Sequence, residues 1–133
     1  ERTKMIETLH LVIPKSQWIT ANLRLHQMAR AKRVRALRRR TAIEARKVAV
    51  FSFDGKVRIT AKIYARSARR FDPNNAADTT KAMVDGLRDA GVLVDDDHTH
   101  VIGPDHRWAG VDRDLPVGAH AIELIITEEG TDD

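Results

Sequence analysis

The chain of 133 residues contains no cysteine. That excludes a disulfide framework and any thiolate metal site, and it fits a reducing compartment. No apolar run approaches the roughly 20 residues that span a bilayer, and no charged-then-apolar signal segment opens the chain. The expectation is a cytoplasmic protein that does not enter the membrane. The chain begins at Glu1 rather than Met, which leaves room for residues upstream. A Gly-rich phosphate loop, a G-x-S-x-G elbow and the alternating acids of an EF-hand are all missing. There is no internal repeat. The length suits one domain over 1–133, large enough to bury a core without staples.

What is present is charge, and it is segregated. From Arg24 to Lys47 there are ten Arg or Lys residues and one acid, Glu44. Glu123 to Asp133 carries five acids and no base. Between Asp72 and Asp97 lie seven carboxylates, Asp72, Asp78, Asp85, Asp89, Asp95, Asp96 and Asp97, offset only by Lys81 and Arg88. A basic surface beside an acidic island suggests phosphate on one and a cation on the other.

The elements follow from periodicity. Ile6 to Ile13 alternates and stops at Pro14, so it reads as a strand. Lys15 to Thr20 is a polar loop in which Trp18 reads as a lid over the core edge. Leu23 to Ala49, without Pro or Gly, reads as a long helix capped by Thr20 or Asn22. Its apolar stripe is Leu25, Met28, Ala29, Ala36 and Ile43, within about 100° of one another, with Val34 and Leu37 off it. Val57 to Tyr64 is the clearest strand. Phe71 to Asn75 is an irregular turn around Pro73. Ala77 to Ala90 is a helix stopped by Gly91, with Met83, Val84, Leu87 and Ala90 inward and Asp78, Lys81 and Asp85 on a polar stripe. His98 to Ile102 is a short strand, Gly103 to Gly118 a loop holding Trp108, and Ala121 to Thr127 a final strand. The order β-α-β-α-β-β implies an α/β (α+β) domain, a mixed sheet with two main helices packed on it.

A divalent cation such as Mg²⁺ takes hard oxygen ligands. Asp72 and the Asp95-Asp96-Asp97 run, brought together, would repel unless a cation bridged them. The metal would then activate a water for phosphodiester hydrolysis, with Lys81 on the scissile phosphate or the leaving oxygen. The plainer alternative makes Asp78 a first-turn acid favoured by the helix dipole and Asp95 to Asp97 a solvated turn. His98 and His100 read as surface groups. Arg30, Lys32, Arg33, Arg35, Arg38, Arg39 and Arg40 form a pool for phosphate contacts.

One stretch resembles a known family. Arg69-Arg70-Phe71-Asp72-Pro73-Asn74-Asn75, then Lys81-Ala82, Asp85-Gly86-Leu87, Ala90-Gly91-Val92 and Asp95-Asp96, is similar to the RusA-type Holliday junction resolvases. Within them it looks most like members encoded by bacteriophages and prophages of high-GC bacteria. The resemblance implies a homodimer that resolves four-way DNA junctions by Mg²⁺-dependent cleavage, with Mn²⁺ as a substitute. By position, Asp72, Lys81, Asp95 and Asp96 match the catalytic set and Asp72, Asp95 and Asp96 the metal ligands. Asn75 and Asp85 match supporting positions, and Arg69 and Arg70 open the motif as further DNA contacts. Two departures stand out. Asn74 replaces the second acid of the turn, and two extra residues precede Lys81. Asp78, inside that insertion, is the candidate to supply the missing carboxylate. The rival readings are a branched-DNA-binding protein that has lost catalysis and an interaction protein whose acids bind a basic partner.

Overall fold

The computed structural model describes residues 5–20, 25–49 and 52–129. Strands β1 (Ile6–Ile13), β2 (Val57–Ala65), β3 (Val101–Val111) and β4 (His120–Glu128) form one sheet in the order β1-β4-β2-β3. β4 runs antiparallel to both β1 and β2, while β2 and β3 are parallel. Helices α1 (Gln27–Val48) and α2 (Ala77–Asp89) interrupt the strands in the expected sequence order, and short 3-10 turns occupy Lys15–Gln17 and Pro73–Ala76. The fold is α+β with a mixed four-stranded sheet.

Alternation decides the sheet's faces. Leu9, Leu11 and Ile13 of β1, Ile59, Ala61 and Ile63 of β2, and Ile122, Leu124 and Ile126 of β4 are all buried in one cluster with Leu37, Met83 and Leu87 of the helices. Pairing is in register, with Ile59 opposite Ile126 and Ile63 opposite Ile122. The other face carries Thr8, His10, Arg58, Lys62 and Tyr64, all exposed or half-buried.

Two expectations change. The first concerns β3. Val101–Val111 is an 11-residue strand, where Gly103 to Gly118 reads from sequence as a loop. Gly103 and Pro104 were the misleading pair. Proline lacks the N–H that an interior strand needs, but an edge strand tolerates it, and β3 pairs only with β2. Gly103 sits at φ 104° beside a register shift between Arg58 and Thr60, so the strand absorbs both residues in a bulge. His98 to His100 form a turn before the strand.

The second concerns α1, whose buried face is the opposite of the expected stripe. Leu37, Thr41, Ala42 and Ala45 are buried, and Val34 packs on the core. Met28 is 74% exposed and Ile43 40%. Thr41 is at home inside because its hydroxyl donates to the Leu37 carbonyl at 2.8 Å. The small residues there let α2 approach closely. A Cβ on Gly86 of α2 would lie 2.6 Å from the Arg38 carbonyl oxygen and 2.8 Å from Thr41 Cβ, so only glycine fits the crossing. The helix starts at Gln27, where His26 Nδ1 accepts from the Met28 N–H at 3.2 Å. Asn22, Leu23 and Arg24 lie outside the described residues, and Thr20 does not cap.

α2 follows its sequence. Met83, Val84 and Leu87 are buried. Gly91, at φ 80°, donates to the Arg88 carbonyl and Val92 to that of Leu87, both at 3.0 Å, which closes the helix with a Schellman motif. Buried Thr79 ties α2 to the segment after β1. Its hydroxyl donates to the Ile19 carbonyl at 2.6 Å and accepts from the Ile19 N–H at 2.9 Å.

Candidate active site

Lys81 and Asp85 stand one helical turn apart on the exposed side of α2, with Arg88 nearly a turn further on. The Schellman bend at Gly91 reverses the chain and returns Asp95 and Asp96 to that same side. Lys81 Nζ lies between two carboxylates, 3.3 Å from Asp85 Oδ1 and 3.1 Å from Asp96 Oδ2. Arg88 closes the other flank, 3.3 Å from Asp96 Oδ1 and 3.5 Å from Asp95 Oδ1. The Asp85 and Asp96 side chains are each 18% exposed, whereas that of Lys81 is 69% exposed. The acids are held in place and the ammonium is free to turn outward.

The two carboxyls share the Lys81 ammonium, and their proton affinities shift in opposite directions. Burial lifts Asp85 above the ordinary carboxylate range and the neighbouring Asp96 adds to this, while Lys81 pulls the other way. Asp96 is held well below that range, first by the hydrogen bond from Asp85 and then by the one from Lys81. Charge therefore concentrates on Asp96. Lys81 is raised in turn, chiefly by Asp96.

The remaining acids of the island have other work. Asp72 caps the 3-10 turn, its Oδ1 accepting from the Asn74 N–H at 3.0 Å, and its carbonyl accepts from the Asn75 N–H at 3.0 Å. Asn74 and Asn75 are themselves exposed. Asp78 Oδ2 lies 2.9 Å from Arg30 NH2. Asp89 makes a two-pronged pair with Arg38, at 2.6 Å to Nε and 2.8 Å to NH2. Asp97 accepts from the Thr99 N–H and hydroxyl and pairs with His100 Nδ1 at 2.7 Å, so it organises the turn before β3.

The expected gathering of Asp72 with Asp95 and Asp96 does not form: among the described residues no three His, Asp or Glu side chains come close enough to hold a metal ion. Asp72 is instead engaged in its own loop, its Oδ1 accepting from the Asn74 N–H. Asp85, which sequence placed in a supporting role, is the partner Asp96 actually has. The i, i+4 spacing of Lys81 and Asp85 signalled half of this. The contact across to Asp96 depends on the bend and left no local trace. A pair of carboxylates still fits a hard cation, since Mg²⁺ is usually held by one or two carboxylates with water and substrate phosphate supplying the rest.

The basic pool also divides. Arg30 donates to the Thr20 carbonyl as well as to Asp78, and Arg33 donates to the Lys15 and Trp18 carbonyls, each bond 2.9–3.1 Å. Arg40 reaches Gln17 at 3.3 Å. These three pin the connection after β1. Among the described residues Lys32, Arg35 and Arg39 have no such partners, and Arg69 and Arg70 are exposed on the loop before Asp72.

Beside that loop lies an aromatic cluster that sequence did not anticipate. Trp18 stacks on His120 with ring centroids 4.0 Å apart, and Phe71 lies between His120 at 5.7 Å and Trp108 at 5.8 Å. Trp18 covers the core edge as expected. Behind it, His106 Nε2 lies 2.7 Å from the Thr80 hydroxyl, linking β3 to α2 next to Lys81.

No family model matches this sequence, and no curated protein matches it.

Proposed function

We propose that this chain is a metal-dependent endonuclease of the RusA-like kind that cuts branched DNA, acting as a homodimer. The carrying observation is Lys81 held between the Asp85 and Asp96 carboxylates on a chain of net charge +4 whose first helix is strongly basic. Asp96, the more strongly charged of the pair, and Asp85 would hold the cation. Mg²⁺, or Mn²⁺ in its place, supplies Lewis-acid stabilisation of the phosphoryl oxygens and an activated water when bound. Exposed Lys81 would be free to reach the scissile phosphate or leaving oxygen when the acids hold a cation. Arg88 keeps Asp96 oriented. Arg69, Arg70 and Asn74, on the loop carrying Asp72, face the DNA strand entering the site. A two-fold assembly suits two symmetric nicks, and the sheet face bearing His10, Lys62 and Tyr64 is open to a partner.

The test is nicking of a labelled four-way junction in Mg²⁺ and in EDTA. Asp96→Asn and Asp85→Asn are each expected to lower the nicking rate by about 10²-fold or more, and Lys81→Ala by about 10²–10³-fold. Equal rates in all four proteins would overturn the assignment.

One specific observation favours a second reading, a branched-DNA-binding protein without catalysis: Asn74 stands where the resemblance calls for an acid, and Asp78 is engaged by Arg30 instead of replacing it. That reading expects junction binding in EDTA that persists in Mg²⁺ with no nicked product.

A further inference from the structure

The outward face of α1 sorts its cations by angle. At 3.6 residues per turn, Lys32, Arg35, Arg39 and Arg46 fall within about 60° of one another. Arg30, Arg33, Arg38 and Arg40, four of the arginines tied to neighbouring segments, point outside that arc, while Arg46 lies within it and reaches the end of α2. This is the face that also leaves Met28 and Ile43 exposed. Where it meets the end of α2 there is an open groove of about 530 Å³, walled by Arg35, Arg38, Arg39 and Arg46 and floored by Asp89 and Ile43. Asp89 fixes two of the four. Its carboxylate takes Nε and NH2 of Arg38, and its carbonyl accepts from Arg46 NH2 at 3.1 Å. Four guanidinium groups against one carboxylate leave a strong positive excess, and among the described residues no acid pairs with Arg35 or Arg39.

Through Asp89 the groove reaches the C-terminal end of α2, the helix that also carries Lys81 and Asp85. The glycine crossing at Gly86 sets Arg38 beside α2, near enough that Asp85 and Asp96 as well as Asp89 stabilise its charge.

We propose that this groove is the seat of a DNA phosphate backbone, holding the duplex arm beyond the cleavage point, with Arg35 and Arg39 as its two main contacts. The assignment rests on the nuclease reading above and adds to it which face of the basic helix meets DNA. Guanidinium groups two turns deep on one face suit successive phosphates, and such contacts position the duplex without reading its bases.

The experiment measures binding of a fluorescent 30-base-pair duplex in EDTA across a salt series. Arg35→Ala/Arg39→Ala is expected to weaken binding at least tenfold and to flatten the log K against log salt slope by about 2, since each phosphate contact contributes about 0.9. Arg35→Lys/Arg39→Lys, which keeps the charge, should recover most of the slope. Lys56→Ala/Arg113→Ala, an equal charge change at exposed loop residues outside α1 and the groove, should change affinity less than twofold. Loss in the α1 variant no greater than in this control would overturn the groove. If Asp96→Asn still abolishes nicking in that case, the nuclease reading stands and only the groove falls. No salt-sensitive DNA affinity in the unsubstituted chain sinks both. A polyglutamate peptide bound as tightly as the duplex would point to an acidic protein segment and overturn the DNA assignment.

Discussion

His120 shows how a single residue carries an environment. Its ring is stacked on Trp18, and its Nδ1 is buried with no partner among the described residues. Burial lowers its proton affinity, and burial likewise lowers that of His106. Between the lowered folded values and the unfolded value near 6.5, the unfolded chain binds more protons than the folded one. The stability from these neutral rings is complete above about pH 6.5 and is lost as pH falls below it. His120→Phe is expected to flatten urea-denaturation midpoints between pH 5 and 7 and to stabilise the fold by about 1 kcal/mol, because an unsatisfied polar atom leaves the interior. Asp78 gives the opposite case. Half-exposed and paired with Arg30, it is expected on conversion to Asn to cost under about 1 kcal/mol in the same measurement, and to leave nicking within a few-fold. Local spacing made Lys81 and Asp85 legible as neighbours. The roles of Asp72, Asp78 and Asp89 were not, because a capping bond and two arginines from another helix decide them.

At the level of elements, three strands and both helices were readable because each repeats with its own period. The failures have two physical causes. β3 carries Gly103 and Pro104, which break an interior strand but not an edge strand, and edge position is a tertiary fact. For α1, counting apolar side chains selected the wrong face. The face that packs is chosen by the small residues Ala42 and Ala45 and self-satisfied Thr41, which allow α2 to approach at Gly86. Gly86→Ala would insert a methyl group against the Arg38 carbonyl oxygen and Thr41 Cβ. It is expected to destabilise the protein by about 1–3 kcal/mol and to lower the thermal midpoint, despite the better helix propensity of alanine. A midpoint that rises would show that the helices do not cross as closely as described.

Across the whole molecule, the charge segregation visible in sequence becomes an arrangement in space. One sheet face and the two helices enclose the core, the acid pair lies on the exposed side of α2, and Arg38 of α1 joins α2 at Asp89. The sequence pattern made the nuclease chemistry thinkable; the structure changed which carboxylate accompanies Asp96. The most direct measurement is the cleavage of an end-labelled four-way junction beside a matched linear duplex, in Mg²⁺ and in EDTA. Paired, Mg²⁺-dependent nicks on the junction, absent from the duplex and lost in Asp96→Asn, are the expected result. An uncut junction in Mg²⁺, or junction and duplex cut alike by the unsubstituted chain and Asp96→Asn, would contradict it.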